Sequence, residues 1–117
     1  GYTWTQPHEI TDEKEYPGDL LKLSDGRLLL TYGRRVPPYG VQAMVSRDDG
    51  RTWDREHKLF LVGDSASSDV GYPSSVQRDD GTIVTVYYAW ENVSEHDKRL
   101  RTGIHGAAIL YRPEDLP

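Results

Sequence analysis

One order of residues occurs twice in this chain, and it constrains the fold more than any other feature. Gly1-Tyr2-Thr3-Trp4 matches Gly50-Arg51-Thr52-Trp53 at an offset of 49. Tyr16-Pro17 matches Tyr72-Pro73 at 56, and Asp25-Gly26 matches Asp80-Gly81 at 55. An apolar, β-prone run follows each Asp-Gly: Arg27-Leu28-Leu29-Leu30-Thr31-Tyr32 and Thr82-Ile83-Val84-Thr85-Val86-Tyr87. A repeat of this length marks stacked supersecondary units, and length differences between copies fall in loops, often on the binding face. Here the extra seven residues fall between the Trp and the Tyr-Pro of the second copy.

Within one copy the sequence predicts four strands, at residues 19–23, 27–33, 41–46 and around 58–61. Asp-Gly between apolar runs is a hairpin signal, and Pro37-Pro38 holds the next connection extended. Four antiparallel strands in about 47 residues is the size of one propeller blade. The second copy supplies strands at 74–77, 82–90 and 104–112, one short of four. Residues 3–10 read as the outer strand of a further blade. Leu28-Leu29-Leu30 and Ile83-Val84 do not alternate with polar residues, so both faces of these sheets are expected to be covered. The expected fold is all-β, about two four-stranded antiparallel blades. Residues 1–15 form an outer strand and loop, 16–62 a complete blade, and 63–117 a final blade without its outer strand.

Composition narrows the chemistry. The 117 residues carry a net charge of −5, which argues against nucleic-acid or anionic-membrane partners. No stretch is long and apolar enough for a membrane span. The chain has no Cys, which removes thiol nucleophiles and thiolate metal sites. His8, His57, His96 and His105 have no ligand spacing, so neither a metal nor a cofactor is expected. Asn92-Val93-Ser94 fits a glycosylation acceptor only formally.

Ser46-Arg47-Asp48-Asp49-Gly50-Arg51-Thr52-Trp53 follows Ser-x-Asp-x-Gly-x-Thr-Trp at every fixed position. An Asp carboxylate in such a turn can accept backbone N–H bonds, Gly permits positive φ, and Trp can fold back as an apolar plug. The motif resembles the Asp-box, or BNR repeat, of sialidases and related six-bladed β-propellers. Gly1 to Trp4 resembles the tail of a second Asp-box, and Gly71-Tyr72-Pro73-Ser74-Ser75-Val76-Gln77 is also similar to sialidase-type sequence. The resemblance implies the C-terminal two-blade portion of a six-bladed propeller, with Ser46, Asp48, Gly50, Thr52 and Trp53 structural. It also implies chemistry at the end away from the Asp-box, and it allows a secreted or periplasmic location.

Antiparallel strands alternate their turns between two ends. The turns at 24–26, 47–51 and 78–81 share the Asp-box end. The connections at 11–17, 34–40, 63–73 and 91–103 share the other, where candidate chemistry belongs. Tyr72 resembles the nucleophilic Tyr of sialidases, which suits an anomeric carbon bearing a carboxylate. Pro73 stands where that context has Ser, and Tyr16-Pro17 repeats the pair, so packing of the first strand is the competing role. Asp69, three residues before Tyr72, is a candidate acid, base or orienting group. Arg34 and Arg35 resemble members of the arginine triad that clamps a sugar carboxylate; Arg99 and Arg101 lie in a charged loop at the same end. Tyr39, Tyr88 and Trp90 border this end as a sugar-stacking platform or as packing between blades.

These readings converge on a carbohydrate-directed chain. One reading is a segment of an exo-glycosidase that hydrolyses a terminal acidic sugar, inactive in isolation. The other is a non-catalytic, lectin-like glycan-binding module that oligomerises into a closed propeller. The expected partners are a glycan or small sugar, and either the remaining blades or other copies of the chain.

Overall fold

The computed structural model describes residues 1–91 and 103–117. Asn92-Val93-Ser94, His96, Arg99 and Arg101 therefore lie outside the described residues. The chain is all-β, with seven strands among the described residues: β1 (Glu15–Lys22), β2 (Leu28–Arg34), β3 (Gly40–Ser46), β4 (Leu59–Val62), β5 (Gly71–Gln77), β6 (Ile83–Trp90) and β7 (Ile104–Tyr111). A single 3₁₀ turn, Pro113–Asp115, follows. Two antiparallel sheets form in sequence order, β1-β2-β3-β4 and β5-β6-β7.

The repeat is visible in hydrogen bonds. Leu23 N–H donates to Arg27 O at 2.9 Å and Gly26 N–H to Leu23 O at 3.0 Å. At an offset of 55, Arg78 N–H donates to Thr82 O at 2.8 Å and Gly81 N–H to Arg78 O at 2.9 Å. The two Tyr-Pro pairs are equivalent as well. The β1–β2 register shifts between Glu15 and Gly18, and the β5–β6 register shifts between Gly71 and Ser74. Proline has no N–H to give a ladder, so each pair is accommodated as a bulge.

The two sheets stack. Leu29, Ala43 and Val45 of the first sheet, with Leu21, Leu59 and Leu61 at their margin, pack on Ile83, Tyr111, Leu116 and Ile109. Each fully buried aliphatic side chain here contributes about 1.5–3 kcal/mol. Polar groups set the alignment of the sheets. Asp19 Oδ2 accepts Ser75 N–H at 2.7 Å. A buried row of hydroxyls runs from Thr31 to Ser75 (3.0 Å), Thr85 (2.9 Å) and Tyr111 (2.9 Å). Such a row is satisfied in only one relative placement of the sheets.

Residues 3–10, expected as the outer strand of a further blade, pair with no strand among the described residues, and Tyr2 and Trp4 are exposed. One expectation is corrected. Both faces are covered at β3, every residue of which is buried, but not across either sheet. On the outer face of the first sheet Leu20 is 57 % exposed, and on that of the second Val76, Val86, Ile104 and Leu110 are about half exposed, because among the described residues no third sheet lies against either.

Candidate functional site

The Asp-box closes as its residue types require. Ser46 Oγ accepts Gly50 N–H at 2.9 Å and donates to Asp48 Oδ1 at 2.8 Å. Asp48 Oδ1 also accepts Thr52 N–H at 2.8 Å, and Oδ2 accepts the Thr52 hydroxyl at 2.7 Å. These bonds, first those from the Thr52 backbone and side chain and then that from Ser46, hold the Asp48 carboxyl at about 2. Asp49 and Gly50 both have positive φ, 55° and 84°. Trp53 folds back toward Gly50, and its indole Nε1 is buried without a hydrogen-bond partner. The polar side chains of Ser46, Asp48 and Thr52 are spent on the turn itself.

The opposite end is different. Gly33 and Gly71 meet where the sheets converge, and their contact brings Arg35 and Tyr72 together across the seam. The Arg35 guanidinium carbon lies 5.4 Å from the Tyr16 ring centre and 5.7 Å from that of Tyr72. Its Nε donates to Tyr16 O at 3.2 Å, and its backbone N–H is fixed by Lys14 O at 2.9 Å. Cation–π contacts hold the guanidinium plane in place while leaving an edge for a ligand. Tyr16 and Tyr72 are 55 % and 63 % exposed, so the sandwich faces water.

Tyr72 continues into a second aromatic, Tyr88, with ring centres 5.8 Å apart and planes tilted by 33°. Asp69 closes the group. Tyr88 OH donates to Asp69 Oδ1, and Trp90 Nε1 donates to Asp69 Oδ2 at 3.3 Å. Burial first, then the hydrogen bond and charge of Asp69, push the Tyr88 phenol above its ordinary range, with Arg35 opposing. Asp69 thus staples the inserted loop to the β6 aromatics, and both of its oxygens are engaged. The site is an Arg-centred aromatic ridge: Tyr16, Arg35, Tyr72, Tyr88, with Asp69 and Trp90 at its flank.

The candidates separate on this geometry. Arg35, Tyr72, Asp69 and Trp90 come together. Arg34 does not join them: its Nη atoms donate to Glu15 Oε1 at 3.1 Å and Pro37 O at 3.2 Å, and it stacks on Phe60. Lys58 completes that network, donating to Glu15 Oε2 at 2.8 Å and Asp12 Oδ2 at 2.6 Å. Tyr39 is half-buried, and its carbonyl accepts Ser65 N–H at 3.2 Å. Tyr88 lies at this end as the sequence suggests, beside Trp90, whereas Tyr16 is a ridge residue to which the sequence reading gives only a packing role. The repeat held the signal for Tyr16, because two Tyr-Pro pairs on neighbouring inner strands place two rings side by side. Among the described residues, no group of three or more His, Asp and Glu is arranged to hold a metal ion.

No family model matches the chain, and no curated protein matches it. A solved structure does: the crystal structure of a protein of unknown function from Dyadobacter fermentans DSM 18053. It is 30 % identical with a TM-score of 0.65, over 82 % of this chain and 24 % of that one. The chain thus spans about a quarter of that protein's length.

Proposed function

We propose that this chain is a carbohydrate-directed, sialidase-like propeller segment, part of an exo-glycosidase whose substrate ends in an acidic sugar. The observation that carries the reading is the position of Arg35. It is an arginine held between two exposed tyrosine rings, at the end opposite the Asp-box turn. A guanidinium suits a carboxylate, and flanking aromatic faces suit the apolar face of a sugar ring. Arg34 takes no part, because Glu15 already neutralises it.

One observation favours the non-catalytic reading. Both Asp69 oxygens are occupied by Tyr88 and Trp90, which leaves Asp69 a positioning residue; among the described residues no carboxylate is hydrogen-bonded to the Tyr72 hydroxyl. Under that reading the ridge binds the acidic sugar and does not cleave it. Isothermal titration with N-acetylneuraminic acid and with galactose tests the shared claim. Binding of the acidic sugar alone, lost in Arg35→Ala, supports it; equal binding in parent and variant removes it. Hydrolysis of a fluorogenic sialoside by the complete propeller that contains this segment, compared with its Tyr72→Phe variant, separates the two readings.

A further inference from the structure

The two sheets touch closely at Gly33 and Gly71 but part toward their outer strands, where a cleft of about 430 Å³ opens between them. That volume is in the range of small-molecule sites. Strand alternation builds one wall. Ile83 and Thr85 are buried against the first sheet, so Tyr87 and Ala89 point to the same face of β6, and His105 stands opposite Ala89 in the ladder. Val62, the last residue of β4, lines the cleft from the first sheet.

Two carboxylates line this cleft, Asp64 just after β4 and Glu91 just after β6. Main-chain bonds place both. Asp64 is followed by Ser65, whose N–H donates to Tyr39 O at 3.2 Å, and by Ala66, whose N–H donates to Trp90 O at 2.8 Å. Glu91 N–H donates to Gly103 O at 2.7 Å. The lining residues include no Lys and no Arg. The charge of Asp64 is felt inside: after burial, it is what pushes the Tyr87 phenol above its ordinary range. His105 Nδ1 lies 3.4 Å from Glu91 Oε1, yet it is buried and makes no hydrogen bond among the described residues. Buried polar atoms are nearly always partnered, so the wall presents a nitrogen still to be used.

We propose that the cleft binds a short aliphatic diamine, with an ammonium group at each carboxylate and its methylenes against Val62 and Ala89. Chemistry selects this class. A metal ion needs its ligands gathered at one point, and among the described residues Asp64, Glu91 and His105 form no such group. A neutral polyol would leave both charges uncompensated. A diamine brings a positive charge and N–H donors to each acid, and hydrogen bonds between charged partners are the strong ones. The Tyr87 and Trp90 rings add faces that attract a cation. The chain's net charge of −5 favours its approach. Trp90 stands between this cleft and the Arg35 ridge, donating from Nε1 to Asp69 on the ridge side at 3.3 Å. The two places carry opposite charge, and diamine binding is independent of the sugar-binding reading.

The test follows backbone amide shifts by nuclear magnetic resonance while the chain is titrated with 1,4-diaminobutane. Salt at about 0.15 M screens exposed charges beyond about 8 Å, which suppresses loose ion pairing. Saturable shifts should centre on residues 62–66, 87–91 and 103–105. Asp64→Asn and Glu91→Gln, both at exposed positions where the fold tolerates change, should each weaken binding by about tenfold. Arg35→Ala should leave it unchanged. 1,4-Butanediol, of the same length without charge, should not bind. Butanediol binding as well as the diamine, calcium ion alone producing the same shifts, either acidic-site variant binding like the parent, or shifts that do not saturate would each overturn the assignment.

Discussion

Gly33 and Gly71 stand back to back where the two sheets converge: a Cβ on Gly71 would lie 2.7 Å from the Gly33 Cα. A Cβ on Gly33 would in turn meet Tyr16 O at 2.9 Å and Val70 O at 3.0 Å. Gly71 also has φ of 114°, in the region that favours glycine. Backbone atoms cannot swing aside as side chains do, so Gly71→Ala must separate the strands or strain them. We expect a loss of about 2 kcal/mol or more, read as a lower urea midpoint. The ridge should loosen with it, because Arg35 and Tyr72 meet across this contact. A midpoint unchanged within error contradicts the close packing.

The Asp-box carries a pH signature. The Asp48 carboxyl is held at about 2 against an ordinary 3.8. A folded value below the unfolded one stabilises the fold above pH 3.8, and that contribution is lost as pH falls toward 2. Asp12, Asp25, Asp54 and Asp80 are also depressed, so acid should destabilise the parent through several groups. Asp48→Asn should lower the urea midpoint near pH 6 and flatten the fall between pH 4 and 2. If parent and variant show parallel pH curves, the Thr52 and Ser46 bonds are not holding the carboxylate.

Neighbouring arginines should behave oppositely. Arg34 faces Glu15, whose side chain is 1 % exposed. Arg34→Ala strips one of the two cations from that buried carboxylate, Lys58 remaining, and should cost about 2 kcal/mol of stability. Arg35→Ala touches only the exposed ridge and should change stability by about 0.5 kcal/mol or less, while removing affinity for an acidic sugar. Chemical denaturation of both variants checks the contrast. Equal costs would mean that Arg35 is as structural as Arg34.

Tyr88 reports on the staple beneath the ridge. Its phenol is pushed up by burial, by the hydrogen bond to Asp69 and by that residue's charge. Asp69→Asn removes the charge, so Tyr88 should ionise at lower pH than in the parent. Ultraviolet titration, with Tyr88→Phe used to assign the transition, checks this. A phenol that titrates unchanged would show that Asp69 does not face it.

Much of the fold was legible because the repeat doubles each local signal. Asp25-Gly26 and Asp80-Gly81 mark the same turn twice, and the Asp-box fixes its turn through residue types that leave little alternative. The site was less legible for a physical reason. Arg34 and Arg35 are adjacent in sequence, but strand alternation sends them to different surroundings. Which arginine is neutralised depends on Glu15 and Lys58, 19 residues before and 24 residues after Arg34. Asp69 likewise reads as free chemistry in sequence, and only the return of β6 brings Tyr88 and Trp90 to both of its oxygens. Residues 3–10 read as a strand because they carry a strand's pattern, yet a strand exists only in a ladder, and they pair with no strand among the described residues.

The central claim, an acidic-sugar ridge at the end opposite the Asp-box, is tested most directly by nuclear magnetic resonance. The chain is titrated with N-acetylneuraminic acid while its backbone amide shifts are followed. The account predicts saturable shifts confined to the neighbourhood of Arg35, Asp69, Tyr72 and Tyr88, absent in Arg35→Ala and absent with galactose. Shifts centred on residues 46–53, or none that saturate, would contradict it.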